Sequence, residues 1–198
     1  MSSLTEVAAG LHRWTALHEE WNEQVGSLAV ETDEGLVLID PIDPPRVMRG
    51  ATHVLLTVFW HVRSAAEVRA PHVWASSRSV RRLRNRGLTV TDAIDGGATL
   101  PGGVHAFATA RDGEVAFWLP RQRALAVGDV LLGAGAKPRP TADALRLCPE
   151  RWLGRSTHAD LRASLRPLLD LPVQRVLVSH GEPVLRAGKR ALESVLEE

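Results

Sequence analysis

A chain of 198 residues with 44% hydrophobic and 24% charged residues has the length to bury one core, and it lacks the run of about 18 apolar residues that a membrane helix needs. A formal net charge of +1 gives no reason to expect nucleic acid or an anionic membrane as a partner. The single cysteine, Cys148, excludes an intrachain disulfide, and no positive-then-apolar leader opens the sequence. The expectation is one domain over residues 1–198, cytoplasmic, acting on a small-molecule ligand or substrate, with its oligomeric state left open.

Leu11 to Leu17 alternates with a period near two and predicts a strand. Val25 to Thr32 and Leu36 to Asp40 predict two more, joined by the hairpin signal Asp33-Glu34-Gly35. Thr52 to Thr57 is a further apolar strand, and it feeds a loop reading Val58-Phe59-Trp60-His61-Val62-Arg63. Ser64 followed by Glu67 has capping-box spacing and predicts a helix to Arg69. His72 to Ser76 reads as a strand. Arg78 to Arg86 reads as a helix with a solvated arginine face, stopped by Gly87.

Val104 to Ala110, Val115 to Leu119 and Ala124 to Val130 predict three consecutive strands. His158 to Leu169 predicts a helix with Leu161, Leu165, Leu168 and Leu169 on one face. Val173 to Ser179 predicts the last strand, and residues 186–197 a closing helix. Pattern alone gives an α/β or α+β domain.

Two apolar runs end on residues able to bind a metal. Arg175-Val-Leu-Val-Ser-His180 delivers a histidine onto the Gly181 turn, and Arg123-Ala-Leu-Ala-Val-Gly128-Asp129 delivers a carboxylate. With Gly35-Leu-Val-Leu-Ile-Asp40-Pro41, Leu55-Leu56-Thr57 and Asp112-Gly113-Glu114 in the same order, the chain resembles the metallo-β-lactamase superfamily over nearly its whole length. The resemblance implies a four-layer αββα sandwich and hydrolysis of esters, thioesters, lactams or phosphoesters at bound metal, with small esters, lactones or lactams the substrates expected for this chain.

The superfamily's His-x-His-x-Asp-His loop falls on Val58, Trp60, Val62 and Arg63 here. Its middle histidine falls near Thr109-Ala-Arg111-Asp112, where none stands. Asp129 and His180 match ligand positions, and a one-residue slip brings His61 into another. That donor set is too small for two zinc ions. It leaves either no metal or one divalent ion (zinc, iron or manganese) on His61, Asp129 and His180, the three-ligand pattern of a catalytic site.

A competing reading puts Arg63 in an ion pair with Asp129 in the old metal pocket, either for metal-free chemistry or for ligand binding without catalysis. A scaffold role is a third. His61, Arg63, Asp129 and His180 are therefore the candidate catalytic residues. Trp60 and Phe59 either fill vacated space or wall a substrate pocket. Asp112 is a candidate acid/base facing His61, although Asp112 and Glu114 follow a turn and are expected in solvent. Asp40 is expected to be structural, His53 a core or edge residue, and His12, His18, His72 and His158 surface residues. Cys148 is expected to be a small core residue.

Overall fold

The computed structural model describes residues 4–197. The first half builds a seven-stranded sheet in sequence order from β1 (Thr5–Ala8), β2 (Leu11–His18), β3 (Glu23–Thr32), β4 (Gly35–Ile39), β5 (His53–Leu56), β6 (His72–Ser76) and β7 (Asp92–Ile94). Tight turns make β1 to β4 antiparallel. Longer crossovers make β4 to β7 parallel, as parallel pairing requires. These crossovers carry the short helices α1 (Ala65–Val68) and α2 (Val80–Arg84).

The second half builds a five-stranded sheet from β8 (Thr99–Leu100), β9 (Val104–Ala108), β10 (Val115–Leu119), β11 (Ala124–Val127) and, after a two-stranded ribbon of β12 (Leu131–Gly133) and β13 (Leu145–Leu147), β14 (Arg175–Val178). β14 lies parallel to β11 at the edge. Helices α3 (His158–Leu165) and α4 (Gly188–Glu197) follow β13 and β14.

Side-chain alternation sorts the strands into layers. Val37 and Ile39 of β4 pack with Phe117 and Leu119 of β10 between the two sheets, while Leu38 turns outward to Ala65, Val68 and Leu83 beside α1 and α2. Ala116 and Trp118 of β10 turn the other way, onto Leu161 and Leu165 of α3 and Leu192 of α4. The result is the expected αββα sandwich. Each fully buried Leu or Phe contributes roughly 1.5–3 kcal/mol relative to exposure. No helix among the described residues is long and apolar enough to cross a membrane.

Two local expectations are corrected, and one feature was missed. Ser64 does not cap α1. Its Oγ accepts the Asp43 N–H at 3.0 Å, so the capping-box spacing served a loop-to-loop tie instead. The helix from His158 ends at Leu165 and continues as a 3-10 turn from Arg166 to Asp170. Pro167 has no N–H to donate to Ala163, so the α-helical ladder stops there. At the other end, Thr157 and Asp160 form the capping box that the sequence reading missed.

Candidate metal centre

The carboxyl ends of β4, β5, β11 and β14 lie at one end of the sandwich, and each delivers a polar residue there: Asp40, Thr57 with His61, Asp129, and His180. Cross-sheet hydrogen bonds close this end. Val115 N–H donates to Thr57 O at 2.9 Å, and Gly26 N–H to Ser179 O at 2.7 Å. Gly128 makes the Asp129 turn possible, because a Cβ there would lie 2.7 Å from Thr57 Oγ1 and 2.8 Å from Glu114 Oε1.

His61, Asp129 and His180 are all buried, and each offers a ligand atom within 4.8 Å of the others. His61 Nε2 lies 3.0 Å from Asp129 Oδ1, and His180 Nε2 lies 3.2 Å from the same oxygen. Neither approach satisfies hydrogen-bond geometry, so Asp129 Oδ1 is a buried oxygen without a hydrogen-bond partner. The opposite ring nitrogens are engaged. His61 Nδ1 donates to Asp40 Oδ2 at 2.8 Å, and His180 Nδ1 to Glu23 Oε2 at 3.2 Å. A carboxylate can only accept, so a neutral ring here keeps its proton on Nδ1 and frees Nε2 for a metal, while a protonated ring turns its Nε2–H toward Asp129 Oδ1. This carboxylate–histidine arrangement is the one that orients metal ligands. The donors present fit a single divalent ion.

The charges are mutually dependent. Burial and the Arg63 charge oppose protonation of His61, but Asp129 and Asp40 outweigh them and raise its pKa. Burial likewise opposes protonation of His180, yet Asp129 and Glu23 bring it up to about 9. Against its own burial, Asp129 is held well below the usual carboxylate range by the two imidazoles. Asp40, expected to be structural, accepts the Thr57 N–H at 2.9 Å and the Thr57 hydroxyl, and so anchors the loop beneath His61.

Arg63 does not pair with Asp129. Its Nη1 donates to the carbonyls of Gly26 at 2.9 Å and Asp40 at 3.0 Å. Its backbone sits at φ 35°, which a non-glycine residue adopts only when its surroundings enforce it. The guanidinium therefore locks the loop onto β3 and the end of β4. The cation that reaches Asp129 is Arg111, from the turn where the resemblance called for a histidine. Arg111 Nη1 lies 3.3 Å from Asp129 Oδ2 and 3.4 Å from Glu114 Oε2, and the guanidinium carbon lies 4.2 Å from the centre of the Trp60 ring. Trp60 Nε1–H donates to the same Oδ2 at 2.7 Å. One oxygen of Asp129 is thus committed to Trp60 and Arg111, and the other to the two histidines.

Glu114 also departs from expectation. Instead of lying in solvent it is buried, with Oε1 accepting the N–H groups of Asp129 at 2.8 Å and Val130 at 3.0 Å. Burial and the Asp129 charge push its pKa up to about 7. Asp112 does not face His61. It is exposed and pairs with Arg78 at 3.0 Å and Arg82 at 3.6 Å.

Phe59, Trp60, His61, Arg63, Asp129 and His180 line a pocket of about 330 Å³. His18, expected on the surface, joins that lining, and Trp21 lies with its ring centre 5.2 Å from that of His180. Cys148 is buried, and desolvation lifts its thiol to about 12, as suits an inert core residue. Glu23, Thr57, Arg111 and Glu114 are the polar groups that sequence reasoning missed. Arg111 alone left a signal, a cation at the position of a ligand histidine.

The sequence matches no protein-family model and no curated protein. Solved structures do match in shape. A metallo-β-lactamase from Hirschia baltica is 13% identical at a TM-score of 0.70, covering 99% of this chain and 96% of that one. The metallo-β-lactamase DIM-1 is 16% identical at 0.70, covering 99% and 97%. FIM-1 from Pseudomonas aeruginosa, in its mono-zinc form, is 16% identical at 0.65, covering 99% and 95%. Strand order, layering and these superpositions agree that the chain has the metallo-β-lactamase fold.

Proposed function

We propose that the protein is a small-molecule hydrolase that works with one divalent ion, zinc, iron or manganese, held by His61, Asp129 and His180. The observation that carries this reading is the convergence of the His61 and His180 Nε2 atoms on one buried oxygen, Asp129 Oδ1, with each opposite Nδ1 fixed by a carboxylate. Three protein ligands leave an open position, as in catalytic rather than structural zinc sites. The mono-zinc form of FIM-1 is a relative in fold described with one ion.

A bound ion supplies Lewis-acid chemistry, polarising a substrate oxygen and acidifying water. The protein's own residues do the rest. Arg111 takes the charge-balancing place of a second ion by neutralising Asp129 and Glu114. Trp60 and Arg111 hold Asp129 Oδ2, so only Oδ1 is presented. Arg63 fixes the loop that aims His61. Trp21, Phe59 and Trp60 wall a pocket whose volume of about 330 Å³ suits a small ester, lactone or lactam.

The test is elemental analysis of the purified protein before and after chelation, on wild type and His180→Ala, followed by an ester, lactone and lactam screen of the loaded protein. About one equivalent of metal in wild type, lost in the variant, supports the reading. Protein that neither retains nor takes up metal sinks it.

A further inference from the structure

A second and larger cleft, about 930 Å³, lies on the far side of Trp60, which lines both cavities. It is lined by Arg78, Arg82, Arg111 and Arg155, with the indoles of Trp60 and Trp152 among its walls. Arg78 and Arg82 share the Asp112 carboxylate and Arg82 and Arg86 share the Phe59 ring, so the three guanidinium groups lie along one side of the stretch around α2. That face runs from the cleft to the small pocket, which Arg86 lines. Arg82 and Arg86 both lie over the Phe59 ring, 4.9 and 5.1 Å from its centre. Stacking of this kind holds guanidinium groups in place.

The anionic partners are fewer than the cations. Asp112 alone serves both Arg78 and Arg82, whose side chains are 74% and 47% exposed. Asp95, also in the lining, accepts the Ser77 hydroxyl. Glu114 is turned to Arg111 and the Asp129 turn. Arg86 and Arg155 form no ion pair among the described residues. Guanidinium forks with unspent donors, fixed beside aromatic faces, suit a planar or tetrahedral oxyanion.

We infer that this cleft binds the oxyanion group, phosphate or carboxylate, of a small anionic ligand whose other end reaches the metal-site pocket past Trp60. The inference deepens the proposed hydrolase by giving its substrate an anionic handle, and it rests on that reading only for the reacting end.

The experiment is calorimetric and tryptophan-fluorescence titration of the full chain with phenyl phosphate, benzoate and neutral benzyl alcohol, at low and high salt. It is run on wild type, on Arg78→Ala/Arg82→Ala and on His180→Ala, with metal content measured on each sample. Both arginines are exposed, so the double variant keeps its thermal melt. Saturable binding of an anion, at least tenfold tighter than the alcohol, weakened at least tenfold in the double variant and retained in His180→Ala, is the expected result. The preferred probe then separates a phosphate from a carboxylate ligand.

Equal binding by the double variant overturns the cleft site. So does anion binding lost only in His180→Ala, which would place the anion on the metal. Failure of all three probes to saturate also overturns it. A protein that binds the anion but holds no metal instead refutes the hydrolase reading and leaves the anion site standing.

Discussion

Arg111 places its guanidinium 3.3 Å from Asp129 Oδ2, so the carboxylate that completes the histidine triad carries a resident cation on its other side. Arg111 reaches both buried carboxylates, Asp129 and Glu114, while His61 and His180 also face Asp129. Arg111→Met should therefore destabilise the chain, but by less than the roughly 3–5 kcal/mol of a wholly uncompensated buried charge, because His61 and His180 still face Asp129 and Glu114 can take up a proton. Chemical denaturation checks this. Arg111→Lys should recover part of the loss, since it restores charge without the fork.

The carboxylates behind the histidines should matter nearly as much as the ligands. Glu23→Gln and Asp40→Asn leave all three donors in place but weaken the Nδ1 anchors of His180 and His61. Metal affinity should fall roughly 10–100-fold in each, measured by chelator competition. Unchanged affinity in both would show that the imidazoles need no anchoring.

Protons and metal should compete for the same nitrogens. In the ion-free chain the pKa of His180 is raised to about 9 and that of His61 is also raised. Metal binding at pH 7 should then release protons, and affinity should climb as pH rises toward 9. Calorimetry in buffers of different ionisation enthalpy reads this directly. For ion-free stability the sign is opposite. A raised histidine stabilises fully below its unfolded pKa, about 6.5, and that contribution is lost as pH rises through the folded value. Glu114, raised to about 7, acts in the same direction from about 4.5 upward. The ion-free melting temperature should therefore fall between pH 6 and 9.5.

Gly128→Ala should show how tightly the turn is packed. Its new methyl would press on Thr57 Oγ1 and Glu114 Oε1. A cost of roughly 1–3 kcal/mol is expected from overpacking, with loss of metal because Asp129 moves. Denaturation and elemental analysis on the same preparation test both parts.

Strand pattern made an α/β or α+β domain legible in the sequence, and the family resemblance supplied the sandwich in which each strand face meets a different layer. Val37, Leu38 and Ile39 show it in three consecutive residues. Asp129 and His180 were legible because a polar residue ending an apolar strand is costly without a task. His61 was legible only through its neighbourhood. Partner choice was not legible. Arg63 and Arg111 were both cations near the right place, and their reach across the fold decided which met Asp129. Glu23 carried no signal in the sequence, and Glu114 looked like a solvated residue. Their partners lie 157 and 15 positions away in the chain, where no local pattern can point.

His61 hangs from the first sheet, while Asp129 and His180 hang from the second. Glu23, on a strand of the first sheet, grips His180 of the second. An ion at this centre would rivet the two halves of the molecule together. A ligand that binds only the folded chain stabilises it by about 2.7 kcal/mol at a free concentration one hundred times its dissociation constant. Loading should thus be felt first as resistance of one sheet to parting from the other. Hydrogen exchange at the Gly26 and Val115 amides, which stitch the sheets together at this end, would register the ion before any substrate is found.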